Sequence, residues 1–259
     1  MGAPMTLDRA TAPAQSFLTA RWLRLAMLNY EIAPETLAPF VPRGTVLDAW
    51  NGRTLLSVVG FEFLDTRVLG LPIPFHRDFE EVNLRFYVRR QTPDGSRRGV
   101  VFIKEIVPRR AIAFIARRVY NENYVALPMR HSNLVSHPDK PAVSYEWKTG
   151  SGWNRLAVEV AGEPYLAPES SEETFVTEHY FGYVSQRDRS TVEYQVEHPR
   201  WRVWRARHAT LECDAQELYG ERFTGVLAGR PSSAFLAEGS EVVVRRGVRL
   251  GATLERPAG

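Results

Sequence analysis

Short apolar segments separated by turn residues recur along most of the chain, and this pattern constrains the fold more than any other sequence feature. Runs rich in β-branched and aromatic residues predict strands. The turn signal Thr-Pro-Asp-Gly-Ser at 92–96 separates two such runs, so their strands are expected to pair antiparallel. The predicted strands are TVLDAW, TLLSVVGFEFL, EEVNLRFYVRR, GVVFIKEIV, AVSYEWK, NRLAVEVAG, EHYFGYVS, TVEYQVEH, VWRARHATLEC and SEVVVRRGVRL.

Helix signals are few and do not alternate with the strands. Residues 110–120, RAIAFIARRVY, carry apolar side chains at the spacing of one helix face. A short helix is expected over 33–37, where a proline and an early carboxylate mark its start, and it should end at 41–44. The pattern therefore predicts an α+β fold, mostly antiparallel β, with one central helix and short helices, and not a series of βαβ units.

The 259 residues, 44% of them hydrophobic, are enough for one well-packed domain. Residues 1–16 are rich in small residues and proline and predict a disordered arm, and 17–259 are expected to form a single domain. No apolar run reaches the roughly 18 residues that a membrane helix needs, and the N-terminus lacks a signal-peptide pattern. A cytoplasmic protein without a membrane partner is the expectation.

The charge and the reactive residues narrow the classes of function. The 33 basic and 30 acidic residues nearly cancel, and the arginine pairs are scattered, so no nucleic-acid partner is expected. Cys213 is the single cysteine, which excludes an internal disulfide, and its strand-like surroundings predict a packed side chain. His131 and His137 lack a carboxylate at ligand spacing, so neither a metal nor another cofactor is expected.

Two strands near residues 178–198 place acids opposite imidazoles. If Val184 faces Val192 across the turn, antiparallel pairing sets Glu178 opposite His198 and His179 opposite Glu197. Alternation puts Glu178 and His198 on the more apolar face, so they are expected to point inward while His179 and Glu197 point outward. Such a pair is either a general acid/base or a satisfied buried pair that only fixes the register.

Several segments together resemble a known family. They are NYEIAPETLAPFVPRGTVLDAW, FEEVNLRFYVR, GVVFIKEIVPRRAIAFIARRVYNENY, TEHYFGYVS and VEYQVEHPRW. The chain, from about Phe17 to about Leu250, is similar to the YqjF-like family of uncharacterised bacterial proteins, within the acetoacetate-decarboxylase-like superfamily. The resemblance implies a β-barrel-like α+β domain around an enclosed pocket.

The resemblance also locates the residues of the superfamily's chemistry. Acetoacetate decarboxylase uses a desolvated lysine, with its pKa lowered by a neighbouring cation, to attack a ketone. The two lysine positions correspond to Asn123 and Tyr124, neither of which forms an imine, and the carboxylate-binding arginine corresponds to a position near Glu31. Glu81 is either a retained superfamily acid or a surface charge at the start of a strand.

Lys104 is one of only three lysines in the chain, and it is the candidate for a substitute nucleophile. In a regular strand Lys104 would share a face with Phe102 and Ile106. It then either points inward or extends its ammonium group from the rim of the barrel.

The expected function follows from this resemblance and from the acid–imidazole pair. Tyr120, Asn121, Asn123 and Tyr124 offer hydroxyl and amide groups suited to a small polar ligand, with the alternative that the asparagines cap the helix. A small organic ligand is the expected partner, with acid/base chemistry on a carbonyl or carboxylate compound and no Schiff base. The alternatives are a non-catalytic binder or sensor, and an interaction protein that uses exposed tryptophans. Homo-oligomers through sheet edges are also an expectation.

Overall fold

The structure is a computed structural model that describes residues 16–72, 77–108, 123–137 and 140–251. Within these residues the strands are β1 Ser16–Glu31, β2 Val46–Leu47, β3 Leu55–Val68, β4 Leu71–Pro72, β5 Phe79–Thr92, β6 Gly95–Val107, β7 Tyr124–Ala126, β8 Met129–Asn133, β9 Ala142–Lys148, β10 Trp153–Leu166, β11 Phe181–Ser185, β12 Thr191–Glu197, β13 Arg202–Glu212, β14 Ser233–Arg245 and β15 Val248–Arg249. The helices are α1 Pro34–Leu37, continued by a 3-10 turn at Ala38–Phe40, α2 Glu172–Thr177, α3 Ala215–Tyr219 and α4 Glu221–Leu227.

All of these strands belong to one sheet, in which the main path runs β15-β12-β11-β6-β5-β3-β1-β14-β13-β10-β9-β8. Most neighbours are antiparallel, and the pairs β6–β11 and β6–β7 are parallel. Strand β12 pairs with β14 as well as with β11, so the pairings from β14 through β1 and β5 to β12 return to β14. The prediction of a mostly antiparallel sheet with short helices is confirmed.

The two faces of the sheet bury two separate apolar cores. On β5, Val82, Leu84 and Phe86 pack into the first core, which also contains Tyr145 and Trp147. The residues between them face the other way, where Phe79 and Tyr87 join the second core with Phe61, Phe175 and Trp201. This alternation is the strand period of two, and it decides which side chains of β5 can meet in the second core.

The turn and helix predictions are confirmed where the structure describes them. Thr92 pairs with Gly95, so a two-residue turn joins β5 to β6. The short helix is α1, which begins at Pro34. The predicted central helix at 110–120, with Tyr120 and Asn121, lies outside the described residues, as does the predicted arm except Ser16, which begins β1.

One strand prediction is wrong at its start. The segment from Glu178 was expected to be strand, yet β11 begins only at Phe181 because α2 precedes it. Ser171 caps this helix by accepting a hydrogen bond from the Thr174 amide at 3.2 Å, and Glu172 and Glu173 occupy its first turn, where acids interact well with the helix dipole. The chain therefore leaves α2 in a bend at Glu178, and His179 is not part of a strand.

Candidate functional site

A small cavity of about 40 Å³ opens where the second core meets the end of α2. Its walls are mainly apolar and aromatic, with Phe102, Phe181 and Trp201 among them. Its polar residues include Trp22 from β1, Arg85 from β5, His179 after α2 and His198 after β12. Apolar walls with a few converging polar groups are the usual form of a small-molecule site.

Arg85 brings a cation to this cavity. Its Nε is buried and makes no hydrogen bond, and one Nη2 contact reaches the carbonyl oxygen of Val176 at a long 3.5 Å. The guanidinium carbon lies 5.8 Å from the centroid of the Tyr87 ring. Within the described residues no carboxylate forms an ion pair with Arg85. A partly buried cation without a counter-charge is unfavourable, so this guanidinium favours an anion beside it.

His179 is buried and hydrogen-bonded to Asp48. Its Nε2 lies 3.3 Å from Asp48 Oδ2, and Arg98 Nε donates to the same carboxylate oxygen at 2.7 Å. Burial opposes ionisation of Asp48, but hydrogen bonds from His179 and Arg98 outweigh it and lower the Asp48 pKa. Burial lowers the pKa of His179 to about 4, although the bond to Asp48 partly opposes this. The imidazole is therefore neutral at pH 7, and packs against Tyr87 and Phe175.

His198 also lines the cavity as a neutral imidazole. Its ring stacks on Trp201 with centroids 4.0 Å apart, and Nδ1 donates to the carbonyl oxygen of Pro199 at 2.9 Å. Burial is the main cause of its lowered pKa, the charge of Arg85 adds to it, and the charge of Glu178 opposes it. Because Nδ1 carries the proton, Nε2 is the nitrogen that can accept a hydrogen bond.

The structure confirms the register predicted for the hairpin but not the pair built on it. Val184 pairs with Val192, and the ladder ends at Phe181 opposite Gln195. Glu178 lies beyond that end, where its carboxylate accepts hydrogen bonds from the Tyr180 and Thr177 hydroxyls instead of from His198.

The predicted directions of His179 and Glu197 have different outcomes. His179 was expected to point outward, but it is buried against Asp48, because the bend after α2 removes it from the strand alternation. Glu197 does point outward, and Arg245 binds it through two bonds of 2.9 and 2.8 Å. The acid–imidazole pair beside this cavity is thus Asp48–His179, and not Glu178–His198.

A second group of polar residues continues along the same face of β5. Glu81, only 2% exposed, accepts hydrogen bonds from Asn83 Nδ2 at 2.9 Å and from the Tyr124 hydroxyl at 3.3 Å. The buried Glu105 pairs with Asn83 across the strands and with Tyr124 on its other side. Glu81 is therefore an interior acid, and the alternative of a surface charge is wrong. Asn123 donates from Nδ2 to the Ile103 carbonyl oxygen at 2.9 Å.

Lys104 lies on the opposite face of the sheet from this polar row. A bulge in β6 pairs Phe102 with Arg85 but Lys104 with Leu84, so Phe102 and Lys104 face different cores. The prediction that these two residues share a face is wrong for this reason. Burial lowers the pKa of Lys104, and the residue is not part of the lining of the cavity that contains Arg85.

Glu31 lies at the exposed end of β1, outside the cavity lining. Arg53 binds its carboxylate at 2.5 Å and contacts Glu172 at 2.9 Å.

The described part of the chain contains no cluster of three potential metal-ligating side chains. Across the same ranges, no helix is long and apolar enough to cross a bilayer.

Sequence reasoning missed Arg85, Trp22 and the Asp48–His179 pair. A signal for Arg85 was present, because Glu81, Asn83 and Arg85 recur at every second position of an otherwise apolar strand. Nothing local signalled the Asp48–His179 pair, whose members are 131 residues apart in the chain.

Comparison with solved structures identifies the fold. The acetoacetate decarboxylase of Legionella pneumophila subsp. pneumophila str. Philadelphia 1 superposes with a TM-score of 0.63 at 13% identity, covering 97% of this chain and 94% of that one. The enduracididine biosynthesis enzyme MppR, complexed with pyruvate, gives a TM-score of 0.64 at 12% identity over 94% of this chain and 93% of its own. An acetoacetate decarboxylase-like enzyme from Sphingomonas wittichii RW1 gives 0.61 at 13% identity, covering 97% and 100%. The chain has the acetoacetate-decarboxylase-like fold.

Sequence comparison identifies the family. The uncharacterized protein YqjF of Bacillus subtilis (strain 168) is 26% identical over 196 residues, which are 74% of this chain and 75% of the relative. The model of the DUF2071 family, described as an uncharacterized conserved protein, matches residues 19–241. The resemblance found in the sequence is confirmed, and the chain belongs to the DUF2071 family.

Proposed function

We propose that this protein binds a small organic carboxylate in the cavity that Arg85 lines. The main support for this proposal is the environment of the Arg85 guanidinium. Its Nε is buried without a hydrogen bond, and it has no acidic partner among the described residues. A carboxylate matches the planar donors of arginine and supplies the missing charge. MppR, one of the structural neighbours, was solved with pyruvate, a ligand of the same chemical class.

The chemistry that the site supports is proton transfer without a covalent intermediate. His179 and His198 are both neutral at pH 7, so either ring can accept a proton from a ligand held on Arg85. Asn123 and Tyr124 at the lysine positions, and the position of Lys104 on the other face of the sheet, argue against an imine. The closed cycle of strand pairings supports a barrel-like enclosure around this site.

Substitution of Arg85 tests the proposal. We expect Arg85→Gln to weaken binding of acetate, propionate or pyruvate by about 10- to 100-fold, because a charge-assisted hydrogen bond contributes about 1.5–3 kcal/mol. Binding is followed by the fluorescence of Trp22 and Trp201, which line the cavity.

Arg207→Gln, at an exposed position, is the matched control and should bind these carboxylates as the unmodified protein does. If none of the carboxylates binds the unmodified protein, or if both variants bind them equally well, the proposed function is wrong.

Reduction with borohydride tests the absence of imine chemistry. After incubation with acetoacetate and borohydride, the mass of the protein should stay unchanged, since the described cavity contains no lysine. A lysine-dependent acetoacetate decarboxylase treated in parallel provides the positive control. A covalent adduct on Lys104 would contradict the non-covalent mechanism.

A non-catalytic binder is the alternative, supported by the small volume and the apolar walls of the cavity. The two functions differ in their response to His198→Gln, a change at a ring whose Nδ1 already bonds to Pro199. An enzyme should lose turnover of small keto and hydroxy acids while it keeps binding them. A binder shows no turnover in either form.

A further inference from the structure

Three buried polar atoms that make no hydrogen bond belong to residues around one cavity. They are Trp22 Nε1, Arg85 Nε and His179 Nδ1, each from a residue that lines the site described above. Most buried polar atoms in folded proteins have a partner, because an unpaired one loses its hydrogen bonds to water without replacement. Three such atoms at a single small cavity indicate a ligand with a matching set of donors and acceptors.

The hydrogen-bonding character of each atom follows from its chemistry. The indole Nε1 of Trp22 and the guanidinium Nε of Arg85 can only donate. Asp48 is bound by Arg98 and is a carboxylate, which only accepts, so the shared proton belongs to Nε2 of His179. With its pKa at about 4, the ring carries no second proton at pH 7, and Nδ1 is an acceptor. The three unpaired atoms are therefore two donors and one acceptor.

We infer that the ligand is a small hydroxy carboxylate, whose carboxylate accepts from Arg85 and Trp22 while its hydroxyl donates to His179 Nδ1. This inference rests on the proposed function and adds the specificity of the site. A simple carboxylate or a keto acid has no donor for Nδ1, and an amino acid would bring its ammonium group close to Arg85. The cavity of about 40 Å³ restricts the ligand to a very small compound.

In this arrangement His179 determines specificity and Asp48 acts through it. Asp48 fixes the ring in the tautomer with a proton on Nε2, which leaves Nδ1 as the acceptor. Phe175 and Tyr87 hold the ring from two sides, with centroids 5.1 and 4.7 Å from that of His179. The ring is therefore positioned before a ligand binds.

The test compares lactate with propionate, which lacks only the hydroxyl, on the full-length protein. Calorimetry and tryptophan fluorescence should show lactate binding about tenfold more tightly than propionate, since only lactate supplies a donor to the buried acceptor. Pyruvate should bind like propionate.

His179→Phe removes the acceptor and keeps an aromatic ring between Tyr87 and Phe175. In this variant the lactate-to-propionate ratio should fall to about one, with propionate affinity within about threefold of the original. His179→Leu, which has neither a donor nor an acceptor, serves as a second variant if phenylalanine prevents folding, and should lose the same preference. Exposed His208→Phe should leave the ratio unchanged.

The outcomes distinguish a failure of the hydroxy-acid inference from a failure of the proposed function. Equal binding of lactate and propionate that still depends on Arg85 would overturn the hydroxy-acid inference and leave the proposed function intact. A lactate preference that persists in both His179 variants would also overturn the inference, since the hydroxyl would then be recognised elsewhere. Failure of every carboxylate to bind would overturn the proposed function itself.

Discussion

Gly239→Ala is expected to lower the free energy of unfolding by about 4 kcal/mol, as measured by urea denaturation. Gly239 has φ +82°, and a Cβ there would lie 1.9 Å from the carbonyl oxygen of Trp22 and 2.8 Å from Leu23 Cα. These are backbone atoms of β1, which is paired on both sides by β3 and β14, so they cannot easily shift. Left-handed strain of about 1–2 kcal/mol and overpacking of about 1–3 kcal/mol add together.

Gly52→Ala separates these two causes. Gly52 also has a left-handed φ, +78°, but a Cβ there meets nothing within 4 Å. This control should therefore lose only the strain, about 1–2 kcal/mol. Equal losses in the two variants would mean that the close approach of β14 to Trp22 does not limit the residue at 239.

Acidification should destabilise the protein through His179, by about 3 kcal/mol between pH 6.5 and pH 4. The folded-state pKa of this ring is lowered from 6.5 to about 4, mainly by burial. Between these two values the unfolded chain binds a proton that the native protein does not, so stability rises with pH across this window. The contribution is complete above about pH 6.5 and is lost as the pH falls toward 4. The size follows from about 1.4 kcal/mol for each pKa unit.

The measurement is urea unfolding at a series of pH values for the unmodified protein and for His179→Gln. Glutamine keeps a donor for Asp48 but does not titrate, so the variant should show a shallower dependence on pH over this interval. The difference between the two curves removes the effects of other groups, such as His198, whose pKa is also lowered, and His131, whose pKa is raised mainly by its hydrogen bond to Glu80. Exposed His208→Gln is the control, and parallel curves for all three proteins would refute a buried neutral His179.

The candidate site was predictable from the sequence only in part. Glu81 and Tyr124 were named through the family resemblance, and the structure brings them into contact at 3.3 Å. His198 was named from strand pairing and does line the cavity. Its partner was predicted wrongly, because the helix capped by Ser171 ends the strand register before it reaches Glu178.

The sequence by itself determined many of the strands, though not β1, and also the turn at 92–95 and the hairpin register at Val184 and Val192. These features depend on residues close together in the chain, where a period of two and the turn residues act locally. Only the tertiary structure decided that Trp22, Arg85 and His179 surround one cavity and that Asp48 orients His179. Those contacts join residues that lie many tens of positions apart in the chain, so no local pattern could specify them. A bulge in β6 also places Lys104 on the opposite face of the sheet from Phe102, which regular strand alternation does not predict.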